Sequence, residues 1–152
     1  VAEIERVGYF WDVMEGRKPP PPAAALLGFQ LIAIEPEAGT IRVRFQAKPE
    51  FANPIGNVQG GFLAAMLDDT LGPALVATLP AGQFAPTIEL KVNFVAPAKI
   101  GSLIGTGRVV ARTGSLAFLA GELHDEAGTL IATASATARI VANPRPSGAE
   151  GA

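Results

Sequence analysis

Apolar residues recur at Ile4, Val7, Phe10, Trp11 and Met14, a three-and-four spacing that predicts a short amphipathic helix over residues 4–15. The run Pro19-Pro20-Pro21-Pro22 can be neither helix nor central strand, so residues 16–22 read as an extended connector. Ala23 to Leu27 has room for one helical turn. Two strands are expected at Phe29 to Ile34 and Thr40 to Ala47, around the turn residues Pro36-Glu37-Ala38-Gly39. In the second, Ile41, Val43 and Phe45 alternate with Arg42, Arg44 and Gln46, which gives one core face and one wet face. After a loop from Lys48 to Val58, residues Gly60 to about Leu79 form the one long helical candidate. Phe62, Leu63, Met66, Leu67, Leu71 and Leu75 supply its apolar stripe, and Pro73 is expected to kink it or end its regular part.

Everything beyond that helix alternates as strand. Thr87 to Phe94 is followed by breaks at Pro97 and Gly101, then by Ser102 to Arg112, Leu116 to His124 and Thr129 to Val141. Their short connections predict antiparallel neighbours throughout. The tail from Asn143 to Gly148 is turn-rich and expected to fray, and residues 143–152 are set apart from the core on that ground. The pattern is α+β: one domain with a core over residues 27–141, in which a central helix packs on an antiparallel sheet of five or six strands.

Composition narrows the chemistry. The chain has 152 residues, 49% of them hydrophobic and 17% charged, enough for a substantial core. Its formal net charge of -2 argues against nucleic acid as a partner. With no Cys, disulfides and thiolate nucleophiles are excluded, and with a single His so is a His-rich metal site. A Ser-His-Asp triad could run only through His124, which reads as an exposed turn residue. Glu3, Glu5 and Arg6 do not suit a signal peptide, and no apolar run reaches the ~18 residues of a membrane span, so a cytoplasmic protein is expected.

The helix entrance is where chemistry could sit. The segment from Asn53 to Gly61 brings a loop to a helix start with two glycines, where the first N–H groups lack intrahelical partners. Those donors and the positive end of the helix dipole suit a negative oxygen. On spacing alone, a Gly-rich cap without a ligand is the favoured reading. Asp68 and Asp69 interrupt the apolar helix and diverge by roughly 100°, so they cannot serve one site together. Asp69 reads as a solvated or ion-paired surface carboxylate. For Asp68, set among apolar neighbours, structural and functional roles stay open.

Taken together, Asn53-x-x-Gly56-x-x-Gln59-Gly60-Gly61 followed by Asp68 resembles the active-site motif of hotdog-fold thioesterases of the phenylacetate-degradation (PaaI) type. Thr87-x-Glu89-Leu90-x-Val92-x-Phe94-x-x-Pro97-Ala98-Lys99-x-Gly101 and Gly128-x-Leu130-Ile131-Ala132 resemble that family's later strands. The resemblance implies a hotdog fold, dimeric or tetrameric, that hydrolyses acyl-coenzyme A thioesters with no metal and no cofactor beyond the coenzyme A of the substrate. It makes Asp68 the general base or nucleophile, Gly60 N–H the oxyanion donor, Asn53 the loop amide that places substrate or water, and Thr87 the hydroxyl that orients the water. Gln59 stands where the family usually has His; its amide can donate a hydrogen bond but cannot carry a proton at neutral pH. Gly61, Lys99 and Arg112 are the expected substrate contacts, with Lys91 and Arg108 as further candidates for the coenzyme A phosphates.

A length argument bears on the oligomer. Asp68 lies eight residues beyond Gly60, about 12 Å along a continuous helix. Attacking group and oxyanion donor must both meet one carbonyl carbon, within roughly 3–3.5 Å of the reacting atoms. A two-fold dimer could achieve this by bringing Asp68 of one subunit to Gly60 of the other. Such a carboxylate, walled by apolar groups, would gain basicity. The rival expectation is a hotdog protein that binds acyl-CoA or another small ligand without turning it over.

Overall fold

The computed structural model describes residues 3–143. Its elements are helix α1 (Tyr9–Met14), α2 (Pro22–Leu27), strands β1 (Gln30–Glu35) and β2 (Thr40–Ala47), α3 (Gly60–Val76), β3 (Gln83–Phe84), β4 (Thr87–Phe94), β5 (Gly101–Thr113), β6 (Leu116–Asp125), β7 (Leu130–Arg139) and β8 (Val141–Ala142). Six strands form one antiparallel sheet in the order β1-β2-β5-β6-β7-β4, and β3 pairs with β8 beside it. Helix α3 packs against β2, β5, β6, β7 and β4. This is the expected α+β hotdog arrangement.

The alternation in β2 decides which face is core: Ile41, Val43, Phe45 and Ala47 are buried, whereas Arg42 and Gln46 are exposed. From the helix side come Leu63, Met66, Leu67, Leu71, Ala74 and Leu75. Thr70 is fully buried among them, and its hydroxyl is satisfied by the Met66 carbonyl at 2.8 Å. The helix comes down close because the sheet beneath it carries glycines. A Cβ at Gly107 would stand 3.1 Å from both Leu71 Cδ2 and Thr70 Cγ2.

Several expectations are corrected. The first helix starts at Tyr9, not residue 4, because Gly8 at φ 96° turns the chain just before it. Pro22 belongs to α2 rather than to the connector, since proline at the first helical position gives up only an N–H that would be unpaired anyway. Helix α3 runs through Pro73 and ends at Val76, with the Ala77 N–H closing on the Pro73 carbonyl at 3.0 Å. The last long strand divides, β7 ending at Arg139 and β8 leaving to join β3. The tail expected over 143–152 lies outside the described residues except for Asn143, whose N–H donates to the Gly82 carbonyl at 2.8 Å.

The largest correction concerns β4. Although only residues 95–100 join it to β5, the two are not neighbours: β4 sits at the sheet edge beside β7, and the connection crosses to β5. That crossing runs past the helix entrance, where Val58 donates its N–H to the Ala98 carbonyl at 2.9 Å.

Candidate active site

The loop before α3 is built largely by one side chain. Asn53 Oδ1 accepts the N–H groups of Ile55 (3.1 Å) and Asn57 (3.0 Å), while the Asn53 backbone pairs with Asn57 and Gly56. Gly56, at φ 87°, completes the turn. The Asn53 oxygen is therefore committed to its own loop, and its amide nitrogen is the end left for other work. A one-turn 3-10 helix, Pro49–Phe51, precedes the loop, and the Phe51 carbonyl accepts the Gln59 N–H at 2.8 Å. Phe51 also stacks on Phe62 of α3, with ring centroids 4.0 Å apart.

These contacts fix where α3 begins. Gln59 is its N-cap: the Gln59 carbonyl accepts the N–H groups of Phe62 (3.0 Å) and Leu63 (3.4 Å), and its side chain is exposed and makes no capping bond. Gly60 and Gly61 thus present the two first-turn N–H groups that have no carbonyl upstream within the helix. Gly61 is open around its Cα, whereas Gly60 is not. A Cβ there would stand 3.1 Å from Phe94 Cζ and 3.3 Å from Cε1. The Phe94 ring lies over the helix start, yet more than half of its surface stays exposed.

Two turns along α3, Asp68 is exposed and accepts a hydrogen bond from Thr87 Oγ1 at 2.8 Å. The structure thus brings together the two residues that the sequence placed nineteen positions apart. The expected apolar walls are not around Asp68; burial falls on its neighbour. Asp69 Oδ2 reaches neither solvent nor any hydrogen-bond partner among the described residues. Burial, reinforced by the negative charge of Asp68, pushes the Asp69 carboxyl up to about 7. Asp69 is therefore not the solvated surface carboxylate expected from the sequence.

Lys99 and Arg112 are both exposed but lie at opposite ends of the sheet. Lys99 follows Ala98, the residue bonded to the helix entrance. Arg112 pairs with Ala117, Ala117 with Ala138 and Ala138 with Thr87, one continuous cross-strand row. Arg112 therefore belongs to the Asp68 end, about 14 Å of sheet from Thr87. Lys91 and Arg108 are exposed on strands β4 and β5. His124 is not a turn residue. It is half-buried within β6, 3.3 Å from Glu122, in a shallow cleft with Arg42, Arg44 and Thr106 on the sheet face away from α3.

The position of the Phe94 ring over the helix start is the feature of this site that the sequence reading does not include. Its signal was present: Ile88, Leu90, Val92 and Phe94 share one parity, and Leu90 and Val92 pack on the core. Phe94 extends that row beyond the core to the start of the helix.

Residues 55–132, just over half of the chain, match the model of the thioesterase superfamily. The chain belongs to the thioesterase superfamily. The matched stretch contains Gln59, Gly60, Gly61, Asp68, Thr87, Phe94, Lys99 and Arg112, and leaves out only Asn53 among the expected site residues. Among solved structures, the chain is similar to a phenylacetic acid degradation-related protein of Ralstonia eutropha JMP134, with 39% identity and a TM-score of 0.82 over 86% of this chain and 98% of that one. The PaaI protein of the E. coli phenylacetic acid degradation operon shares the fold, with a TM-score of 0.77 over 88% of this chain and 94% of that one at 17% identity. Human acyl-coenzyme A thioesterase 13 is 29% identical over 96 residues, 62% of this chain and 68% of its own length. The resemblance to PaaI-type thioesterases read from the motif is borne out.

Proposed function

We propose that this thioesterase-superfamily protein hydrolyses an acyl-CoA thioester to the free acid and coenzyme A, at a site shared by two subunits of a two-fold dimer. The observation that carries the reading is the course of edge strand β4. Its first residue, Thr87, bonds Asp68, and its last, Phe94, lies over Gly60. Among the described residues no strand lies beside its outer edge, and it carries exposed Ile88 and Phe94. Antiparallel pairing of β4 with its two-fold mate sets the Thr87 end of one copy against the Phe94 end of the other. Asp68 of one subunit then faces Gly60 of its partner, which removes the ~12 Å separation within one helix. The same operation brings Arg112 from the Asp68 side and Lys99 from the Gly60 side toward one site, where both suit coenzyme A phosphates.

In this reading the thioester oxygen accepts the Gly60 N–H, with Gly61 beside it, and the helix dipole favours the charge that develops there. Thr87 occupies one oxygen of the Asp68 carboxylate and leaves the other to receive a proton. Water attacks the carbonyl carbon and its proton passes to Asp68. The tetrahedral intermediate collapses by breaking the C–S bond, and the coenzyme A thiolate leaves without needing a strong acid. Asp68 could instead attack directly, forming an anhydride that water then opens; both routes use the same residues. Gln59 would act as a hydrogen-bond donor near the substrate, with the Asn53 amide at the mouth of the loop.

The test is thioesterase activity against aromatic and aliphatic acyl-CoAs, with Asp68→Asn assayed alongside. The variant should fold normally and lose about 10²–10⁴-fold in kcat, the scale of a lost general base. Tight acyl-CoA binding by the wild type with no hydrolysis above background would replace this reading with that of a binding protein.

A further inference from the structure

The ring of Phe94 stands beside the donor that the mechanism uses. Its edge atoms Cζ, Cε1 and Cε2 lie 3.1, 3.3 and 3.6 Å from the place a Gly60 Cβ would occupy. That place is about 2.5 Å from the Gly60 nitrogen, so the ring edge is within roughly 6 Å of the N–H. A carbonyl oxygen accepting that N–H sits at about 2.9 Å, with its carbon one bond further on. Substituents on that carbonyl carbon are then within reach of the ring.

The backbone leaves the ring little choice of place. Phe94 pairs with Ala132 on β7, and the N–H groups of Val95 and Ala96 both reach the Ile131 carbonyl, at 2.8 and 3.1 Å. Strand parity points Phe94 to the same side as Leu90 and Val92, which pack against the core. Within one chain 56% of its surface is exposed, so packing inside the subunit does not account for a phenyl group here.

Resting on the hydrolase reading above, we propose that Phe94 determines specificity: its ring is a steric wall that admits acyl groups with an unbranched carbon next to the carbonyl and rejects branched ones. Of the two substituents on the carbonyl carbon, the sulfur always bears the same CH₂ of coenzyme A. The acyl α-carbon is the only one whose bulk varies between substrates, so it is what a wall at this distance can select. Gly60 belongs to the same device, since a side chain there would push the ring aside.

The experiment compares butyryl-CoA with pivaloyl-CoA in the wild type, Phe94→Leu and Phe94→Ala, reading kcat/KM for each. Phe94→Ala should raise the pivaloyl-to-butyryl ratio at least about tenfold, the discrimination a few carbons supply in an apolar pocket, with Phe94→Leu between the two. An unchanged ratio, both substrates falling together, would overturn the proposal and reduce Phe94 to packing for Gly60. A second ratio, read independently of turnover, is that of the affinities of the two non-hydrolysable ketone analogues, in which CH₂ replaces sulfur, and it should move in the same direction. If wild type binds these analogues without hydrolysing the esters, the hydrolase reading fails, and the affinity ratio alone decides Phe94. If neither analogue binds, both fail.

Discussion

Asp69 carries a buried carboxylate oxygen with no hydrogen-bond partner among the described residues, beside a second carboxylate that is exposed. Its carbonyl also has no regular i+4 donor, because Pro73 carries no N–H. An acid whose folded pKa rises from 3.8 to about 7 binds more protons folded than unfolded between those values. Its contribution is therefore fully present below about pH 4, is lost as pH rises to about 7, and changes no further above. Asp69→Asn removes that ionisation. Relative to wild type it should gain stability with rising pH across this window, by at most ~1.4 kcal/mol per unit, with no further gain above pH 8. Urea denaturation at pH 4, 6 and 8 measures it, and a pH-independent difference between the two proteins would refute the assignment. The sequence assigned exposure and burial to these two residues the wrong way round. Asp68 and Asp69 flank the buried stripe of α3 on opposite sides, and helical periodicity ranks them equally. Which flank is covered depends on tertiary packing, which one helix's spacing does not contain. The Asp68–Thr87 pair, by contrast, was legible through the family motif, because both residues lie at positions that the resemblance marks.

At the scale of elements, the approach of α3 to the sheet rests on residues that a propensity reading discounts. Glycine weakens a strand, yet β5 runs for thirteen residues with Gly105 and Gly107 within it, and β6 contains Gly121. Each lies under Thr70 or Leu71. A Cβ at Gly121 would come within 2.7 Å of the Thr106 carbonyl oxygen and 2.9 Å of Leu71 Cδ2. The first of these is backbone in a paired strand and cannot swing away. Gly121→Ala should therefore destabilise the protein by about 1–3 kcal/mol, as overpacking does, despite alanine's better strand propensity. A melting temperature equal to or above wild type would show that the strands and Leu71 give way around Gly121 at no cost, against the overpacking argument. The elements themselves were largely legible: the Arg42, Arg44, Gln46 alternation and the stripe of α3 fixed two faces of the core. The crossover from β4 to β5 was not, because alternation shows that a segment is a strand and not which strand lies beside it. Six residues can span the roughly 14 Å from the sheet edge to β5, so loop length did not forbid the arrangement either.

In the reading proposed here, catalysis needs two chains. A shared site makes a prediction that a site within one chain cannot. Each dimer would hold two sites, each drawing Asp68 from one subunit and the Gly60 N–H from the other. Asp68→Asn inactivates by the carboxylate. Gly60→Pro inactivates by the donor and suits the backbone, because the position is the first of the helix and Gln59 before it is already extended at φ −59°, ψ 135°. Its ring would crowd Phe94 of the same chain, a further defect at the site that this helix start serves and none at the other site. In a mixed dimer of the two variants, one site collects both defects and the other collects neither. Random reassortment makes about half the dimers mixed, so mixing two inactive proteins should restore about one quarter of wild-type turnover after exchange of subunits. Mixing them without exchange should restore nothing, which controls for contamination. If each chain carried its own complete site, no combination of these variants would contain an intact one, and activity would stay absent however long they exchanged. Recovery near one quarter would thus establish both the dimer and the pairing of Asp68 with the partner's helix start, the step that strand β4 brings about by touching both ends of α3.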